Sequence, residues 1–259
     1  MNKKMRFLAV PALAVSAVAM AGSPAMAGHD GTYSSTLGQL SGTTGTGTVS
    51  ISVQGDQAQL KLQVNGLAQT FMDAPYPHVQ HIHGGAQGKC PTPADDANAD
   101  GILSTTEGAA SYGGILTTLT TSGATTPAEG LNLQLGGQGG SYTIDRTITL
   151  DKATQEALGA GTAVVVVHGL DPATVTASAE AFNAPSDLEP SLPLGATSPA
   201  LCGVLTEQQM GAMPSGGADT GVATESSNTA GMIALGGGLV LAAAAGGTYA
   251  VRRRAEHNA

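Results

Sequence analysis

The chain has 259 residues with 37 glycines, no tryptophan, 3% aromatic and 11% charged side chains. The core must therefore be built from Val, Ile, Leu and Ala, and the abundance of glycine and threonine favours strands and turns over helices. Residues 28–230 hold four basic and eighteen acidic side chains, a net charge of −14. Nucleic-acid binding needs clustered Lys and Arg, so this composition argues against it, and equally against a coiled coil or a multi-pass transporter.

Residues 1–27 have the pattern of a secretory signal peptide. Lys3, Lys4 and Arg6 form a basic start, residues 7–21 are apolar, and residues 25–27 (Ala-Met-Ala) match a small-x-small cleavage site. The alternative is an N-terminal membrane anchor, which the proline and glycine breaks disfavour. The pattern predicts an exported chain that begins at Gly28.

The next region predicts short antiparallel strands. Apolar residues alternate along 49–53 and 58–64, and Gln54-Gly55-Asp56 between them is typical of a hairpin turn. One short helix is expected at residues 153–158, capped by Asp151 and stopped by Gly159. Many short strands with glycine-rich turns predict an all-β sandwich or barrel. Further strands are predicted at 33–40, 78–83, 115–120, 142–150, 163–168 and 201–205.

Four histidines are candidate metal ligands. His81 and His83 lie two apart, so on a strand they point to the same face, and paired imidazoles suit copper or zinc. His78 is an odd number of residues from both and joins them only if the chain is irregular near the flanking prolines. His168 ends the apolar run 164–167, where an unpaired ring would be costly. The alternative is an exposed polar pair, or core histidines satisfied by hydrogen bonds.

Residues 96–107 match the calcium-loop pattern D-x-[DN]-x-[DN]-G-x5-E at every fixed position. Gly101 permits the sharp turn, and prolines and glycines on both flanks predict a lone loop between strands rather than a helix-loop-helix pair. The alternative is a solvated Asp/Asn turn. The predicted calcium ligands are Asp96, Asn98, Asp100, the carbonyl of Ile102, Ser104 and Glu107.

Two cysteines, Cys90 and Cys202, lie in a chain predicted to be exported. An oxidising compartment makes one disulfide the expected outcome. By closing the loop between the two cysteines, it would stabilise the folded chain by roughly 4 kcal/mol in the chain-entropy model. The alternative is a pair of thiols that ligate a metal.

The C-terminal end predicts a membrane tether. Residues 231–251 carry no charge and are long enough to cross a bilayer as one helix, and three arginines at 252–254 follow, as expected of a cytoplasmic flank. Residues 207–230 form a predicted flexible spacer. Ala218-Asp219-Thr220-Gly221 within that spacer, followed by the apolar span and basic end, is also similar to a Gram-positive sorting signal, so attachment to the cell wall is an alternative.

Taken together, several of these residues resemble a known family. The order His81-Ile82-His83, Cys90, Val166-Val167-His168 and Cys202-Gly203-Val204 resembles the copper/zinc superoxide dismutases over about residues 31–205. His81-Ile82-His83-Gly84-Gly85 also resembles the chordin-type (CHRD) domains of Gram-positive surface proteins. The resemblance implies a Greek-key β-barrel, copper ligands at His81, His83 and His168, and a Cys90–Cys202 disulfide.

The chain departs from the dismutase pattern in ways that bear on activity. No histidine lies between His83 and His168, where the family has its bridging and zinc ligands, and Pro199 stands where its anion-guiding arginine is expected. An acidic domain without that arginine would repel superoxide. The leading hypothesis is therefore a tethered surface protein with a copper or zinc site that is not an efficient dismutase. The alternatives are a copper-dependent dismutase with His78 as a fourth ligand, and an adhesive domain without a transition metal.

Overall fold

The structure, a computed structural model, describes residues 29–208. The predicted signal peptide, most of the spacer, the apolar span and the basic tail lie outside these residues. Within them, no helix has the length and apolar character that a membrane crossing requires. The described part is mostly β and antiparallel, as the sequence predicted.

One long antiparallel sheet organises the described residues. Its strands follow the order β10-β3-β2-β1-β12-β11-β7-β8, with β13 paired to β1. Short pairs β4–β5 and β6–β9 lie outside this sheet. The strands are β1 (Gly31–Gln39), β2 (Thr46–Gln54), β3 (Gln57–Asn65), β4 (Thr70–Phe71), β5 (Ala74–Pro75), β6 (Pro77–His78), β7 (Gln80–Gly84), β8 (Gly114–Thr118), β9 (Gly137–Gln138), β10 (Tyr142–Thr149), β11 (Val164–His168), β12 (Pro199–Val204) and β13 (Thr206–Glu207).

The predicted hairpin forms β2 and β3. Strand β3 alternates strictly between exposed polar and buried apolar residues, which places Ala58, Leu60, Leu62 and Val64 in the core. The turn has Gly55 at φ +62°, a conformation that glycine adopts without a steric penalty. Here the two-residue period of the sequence determined the buried face directly.

The sheet curls so that its two ends approach each other. The Arg146 side chain on β10 donates to the carbonyl oxygen of Thr120, just beyond β8, at 3.1 Å. Tyr142 on β10 donates its hydroxyl to Oε1 of Gln80 on β7 at 2.9 Å. The enclosed core takes apolar residues from both ends of the strand order, including Leu60, Ile144 and Ile82.

Strand β11 is buried on both faces, as its apolar run predicted. Val165 and Val167 face the main core, whereas Val164 and Val166 belong to a second cluster with Tyr112 and Cys202 on the outer face. The outer face of β7 and β11 is therefore covered by other parts of the chain.

Within residues 29–208, four short α-helices accompany the sheet, where the sequence predicted one. They are α1 (Thr105–Tyr112), α2 (Lys152–Gly159), α3 (Ala179–Asn183) and α4 (Leu194–Thr197). The predicted helix is α2, and Asp151 caps it through the amide of Thr154. The helix ends at Gly159, as predicted, and the glycine with a left-handed φ is Gly161 at +67°, two residues further on.

The disulfide expected from the sequence is formed. Cys90 and Cys202 are joined, with their Cα atoms 5.8 Å apart and a sequence separation of 112. The bond fixes the loop after β7 to strand β12. Such a bond is typical of proteins that fold in an oxidising compartment.

Candidate metal centre

Three of the predicted histidines converge. One ring nitrogen of each of His81, His83 and His168 lies within 4.8 Å of the other two. The ring centroids are 5.1 to 6.0 Å apart, and all three side chains are buried. Within residues 29–208 this is the group of His, Cys, Asp or Glu side chains whose ligand atoms come together in this way.

Strand register explains why the three rings share one face. His81 and His83 are two apart on β7 and so point the same way. His81 pairs with Val166 on β11, and His168 lies two residues beyond Val166. The amide of His168 donates to the carbonyl of Val79 at 2.9 Å, which keeps the end of β11 against β7. All three rings therefore project from the outer face of the sheet, away from the main core.

Each imidazole is oriented by one main-chain carbonyl oxygen. Nε2 of His81 lies 3.0 Å from the oxygen of Gly130, Nδ1 of His83 lies 3.0 Å from that of Gly113, and Nδ1 of His168 lies 2.7 Å from that of Thr197. A carbonyl oxygen only accepts, so these nitrogens carry the protons. The lone pairs are consequently on Nδ1 of His81 and on Nε2 of His83 and His168.

The three carbonyls share a structural origin. Gly130 caps a 3-10 turn (Pro127–Glu129), Gly113 caps α1, and Thr197 is the last residue of α4. Carbonyls at the end of a helical segment lack partners within it, and they lie at its negative pole. Three helical C-termini thus supply the acceptors that fix the three rings.

The inward nitrogens have no partner. Nδ1 of His81 and Nε2 of His83 and His168 are buried and make no hydrogen bond within the described protein. A copper or zinc ion bonds nitrogen at about 2.0 Å, so nitrogens that share one ion lie at most about 4 Å apart. The ring nitrogens of the three histidines lie within 4.8 Å of one another, so a small inward movement of the rings would bring them to the spacing that one ion needs. The donor set, its tautomers and its unpartnered atoms therefore fit such an ion.

Burial keeps the three rings neutral. It lowers the pKa of His83 to about 3 and that of His168 to about 4, and it lowers the pKa of His81 well below its usual value. Repulsion from the neighbouring rings adds to the effect at His81 and His83. Neutral imidazole is the form that ligates a metal.

His78 is not brought to this point. Its ring is buried elsewhere, with Nδ1 2.9 Å from the carbonyl oxygen of His168 and Nε2 3.0 Å from that of Ala68. Strand structure is interrupted between β6 and β7 at Val79, but this interruption does not turn the His78 ring towards the other three. Its contact with the main chain of His168 makes it a support for the end of β11.

The carboxylates of the predicted calcium loop do not converge on one point in the described residues. Asp96, Asp100 and Glu107 do not form a convergent carboxylate group within the described residues. Their oxygens instead accept main-chain amides, with Glu107 holding those of Ala97 and Ser104. Gly101 has φ +85° and makes the sharp turn that the pattern requires. The remaining predicted ligands are Asn98, Ile102 and Ser104, and calcium at this loop stays a prediction.

Helix α1 begins inside the predicted calcium loop. Ser104 accepts the amide of Glu107, and the Glu107 carboxylate accepts the amide of Ser104 in return. Ser-x-x-Glu is the sequence signature of such a capping box, so this helix could have been predicted. Gly113 and Gly130, which orient two of the rings through their carbonyls, carry no comparable signal in the sequence.

A cavity of about 500 Å³ opens above the three rings. Its walls come from β4, β6, α1, α4 and the segments that follow β8 and α3. Sequence reasoning missed the cavity, because its lining is assembled from distant segments. Apart from the three histidines, it includes Phe71, Tyr76, Val79, Ala109, Tyr112, Ile115, Leu131, Leu133, Leu188, Leu192 and Ala196.

No protein-family model matches the chain, and no curated protein matches its sequence. Among solved structures, the chain is similar to superoxide dismutase 5 of Candida albicans, in a mutant form and in a Cu(II) form. Each match has 14% sequence identity and a TM-score of 0.37, and covers 70% of this chain and 95% of that chain. The chemistry of the centre therefore has to follow from its own atoms.

Proposed function

We propose that this protein is an exported, membrane-tethered surface protein whose β domain binds a copper or zinc ion at His81, His83 and His168. The observation that carries the proposal is the set of three buried ring nitrogens without partners, each aimed inwards by a carbonyl on its opposite side. A buried polar atom without a partner is costly, and a shared ion would remove that cost three times. The disulfide supports folding outside the cytoplasm.

The ion would add a Lewis acid or, for copper, a redox centre. The protein supplies neutral imidazoles, a fixed tautomer for each ring and an enclosure that keeps bulk water away. The three ligands leave room for a further group on the cavity side, since His81, His83 and His168 all line the cavity. This arrangement is typical of a reactive centre with an open position.

The proposed centre is not that of an efficient dismutase. No charged side chain belongs to the described lining of the cavity, so the protein adds no positive charge that would guide a small anion to the ion. The net charge of −14 on residues 28–230 repels superoxide at longer range. We therefore expect copper-loaded protein to remove superoxide no faster than the same concentration of free copper.

The test is metal uptake by the purified chain. The protein is stripped of metal, loaded separately with Cu(II) and Zn(II), desalted, and assayed for metal per chain, with electron paramagnetic resonance of the copper form. We expect about one ion per chain and hyperfine splitting from nitrogen ligands. Failure to retain either metal at micromolar concentration would reject the proposal and leave an adhesive or structural domain. Dismutation well above that of free copper would instead identify an enzyme.

A further inference from the structure

The cavity above the three histidines is large enough for an organic molecule. Its volume of about 500 Å³ falls within the range of small-molecule sites in proteins. The three rings line it together with aromatic and aliphatic side chains from several segments. Such a volume far exceeds the space that an inorganic ion and its water ligands need.

The walls favour an uncharged, apolar occupant. The described lining residues include no Asp, Glu, Lys or Arg. A charged molecule would lose its hydration on entry and gain no partner of opposite charge from the walls. Large apolar surfaces such as those of Tyr112, Ile115 and Leu133 instead stabilise an apolar body by removing it from water.

The entrance has the same character. Among residues 29–208, the large apolar side chains exposed to solvent are Met72, Leu131 and Leu188, at 82%, 44% and 46% exposure. Leu131 and Leu188 both line the cavity, whereas Met72 is not among its lining residues. Exposed apolar side chains in the lining of a cavity, such as these two leucines, are typical of a binding site for an apolar partner.

The floor supplies the polar anchor. The three ring nitrogens described above are the convergent polar atoms of this cavity, and they are buried and unpartnered. A ligand with one small polar head would approach the three rings from the cavity side and, once the rings move slightly apart, would contact these nitrogens or the open position of an ion that they hold. Apolar walls with a few convergent polar groups are the usual composition of a small-molecule site.

We infer that the cavity binds a neutral organic molecule with an apolar, ring-sized body and a single polar head, such as a phenol, an alcohol or an azole. Such a head can donate a hydrogen bond to an imidazole nitrogen or offer a lone pair to a metal ion. The body lies between the walls formed by α1 and by the segments around Leu131 and Leu188, and the head points to the three-histidine centre. The role of the head as a metal ligand rests on the proposed function, whereas the fit of the body does not.

The test uses 4-phenylimidazole as the probe, with imidazole lacking the apolar body and 4-(imidazol-4-yl)benzoate carrying a charge on it. Binding to copper-loaded protein at pH 8 is followed by the visible and electron paramagnetic resonance spectra, and binding to metal-free protein by calorimetry. We expect 4-phenylimidazole to bind at least about tenfold more tightly than either analogue, because burial of its phenyl ring is favourable.

Two exposed rim residues provide the variants. The double change Leu131→Glu with Leu188→Glu places charge at the entrance and is expected to weaken 4-phenylimidazole about tenfold without altering metal uptake. Met72→Glu is the matched control, since it changes an exposed apolar side chain that is not part of the lining. Its affinity for the probe is expected to equal that of the unmodified protein.

The outcomes separate this inference from the proposed function. Copper uptake with equal affinity for 4-phenylimidazole and imidazole, or no effect of the rim substitutions, overturns the ligand site and leaves the metal centre standing. Absence of metal uptake with tight, rim-dependent binding of 4-phenylimidazole to the metal-free protein supports the ligand site and rejects the metal centre.

Discussion

The orientation of single side chains defines the proposed centre. His81 faces inwards through Nδ1, whereas His83 and His168 face inwards through Nε2, because their outer nitrogens donate to different carbonyls. Carbonyl partners of this kind fix the ring and increase its basicity as a ligand. The difference between the histidines that converge and His78, which does not, leads to a direct test.

His83→Gln is expected to reduce metal affinity by at least about 100-fold, since the loss of a ligand exceeds the 10–100-fold cost of losing an outer partner. His78→Gln is expected to keep full metal stoichiometry and to lower the melting temperature, because its ring supports the His168 main chain. Metal per chain and thermal melting are measured on both. His29→Gln is the control, as this histidine is not part of the group. Loss of metal from His78→Gln without loss of stability would restore the four-ligand hypothesis.

Gly113 and Gly85 allow the role of a main-chain partner to be isolated. Both have positive φ values, +88° and +84°, a region that favours glycine, so alanine introduces backbone strain at both positions. A Cβ at Gly113 would overlap the carbonyl group of Gly84, whereas at Gly85 it meets nothing within 4 Å. We expect Gly113→Ala to cost more stability than Gly85→Ala and to weaken metal binding through His83. Chemical denaturation and metal titration of the two variants measure the difference, and equal behaviour would show that the Gly113 carbonyl is dispensable.

Part of the three-histidine centre could be predicted from the spacing of individual residues in the sequence. The spacing of His81 and His83 was enough to place both on one face of a strand. The convergence of His168 depends on β11 lying beside β7, a pairing between distant segments that periodicity does not specify. The carbonyls of Gly113, Gly130 and Thr197 were not predictable, because any residue offers a carbonyl and only the folded chain aims it.

Among the secondary-structure elements, α1 links the predicted calcium loop to the centre. Its capping box closes on Ser104 and Glu107, its Tyr112 ring packs against His83 with centroids 4.6 Å apart, and its C-cap is Gly113. The pattern that predicted a calcium loop is also the start of a helix. Both interpretations use Glu107, which the calcium pattern treats as a ligand and the helix uses as a cap.

Ser104→Ala is expected to lower the free energy of unfolding by about 1 kcal/mol and to weaken metal binding, since fraying of α1 loosens Gly113. Asp151→Ala removes the cap of α2, which is not among the segments that line the cavity, and is expected to cost similar stability without affecting the metal.

Unfolding curves with excess calcium and with a chelator test the calcium prediction on the same samples. A bound calcium ion raises stability by mass action, and identical curves would reject it.

Over the molecule as a whole, three buried neutral imidazoles make stability depend on pH. An unfolded histidine has a pKa near 6.5, whereas burial lowers the pKa of His83 to about 3 and of His168 to about 4. As pH falls below about 6.5, the unfolded chain takes up protons that the folded chain does not, so the metal-free protein loses stability. The hydrogen bond to the Thr197 carbonyl, and then the charge of Asp187, oppose the lowering of the His168 pKa by favouring the charged ring.

We therefore expect the free energy of unfolding of the metal-free protein to fall steadily between pH 7 and pH 5, above the main titration of the carboxylates. Denaturant unfolding at half-unit steps measures it. A variant with both His83→Gln and His168→Gln is expected to give a flatter profile over the same range. Equal slopes for the two proteins would show that other groups control acid stability.

The fold class was predictable because segments such as β2 and β3 alternate with a period of two, and the buried face of these strands follows from that alternation. The order of strands and the curl of the sheet were not, since they depend on pairings such as β1–β12 between segments far apart in sequence. The cavity was hidden for the same reason. Its apolar lining residues are scattered, and individually they resemble ordinary core positions.

Because the centre is assembled from separate segments, it is complete only once the chain has folded. Before folding, the chain offers only the neighbouring His81 and His83, because His168 and the three ring-orienting carbonyls arrive with β11, α1, α4 and the turn before Gly130. Tight capture of an ion is thus coupled to completion of the fold. If the proposed centre binds an ion, the compartment in which folding finishes would decide which ions compete for these nitrogens, and cellular location would contribute to selectivity alongside ligand type.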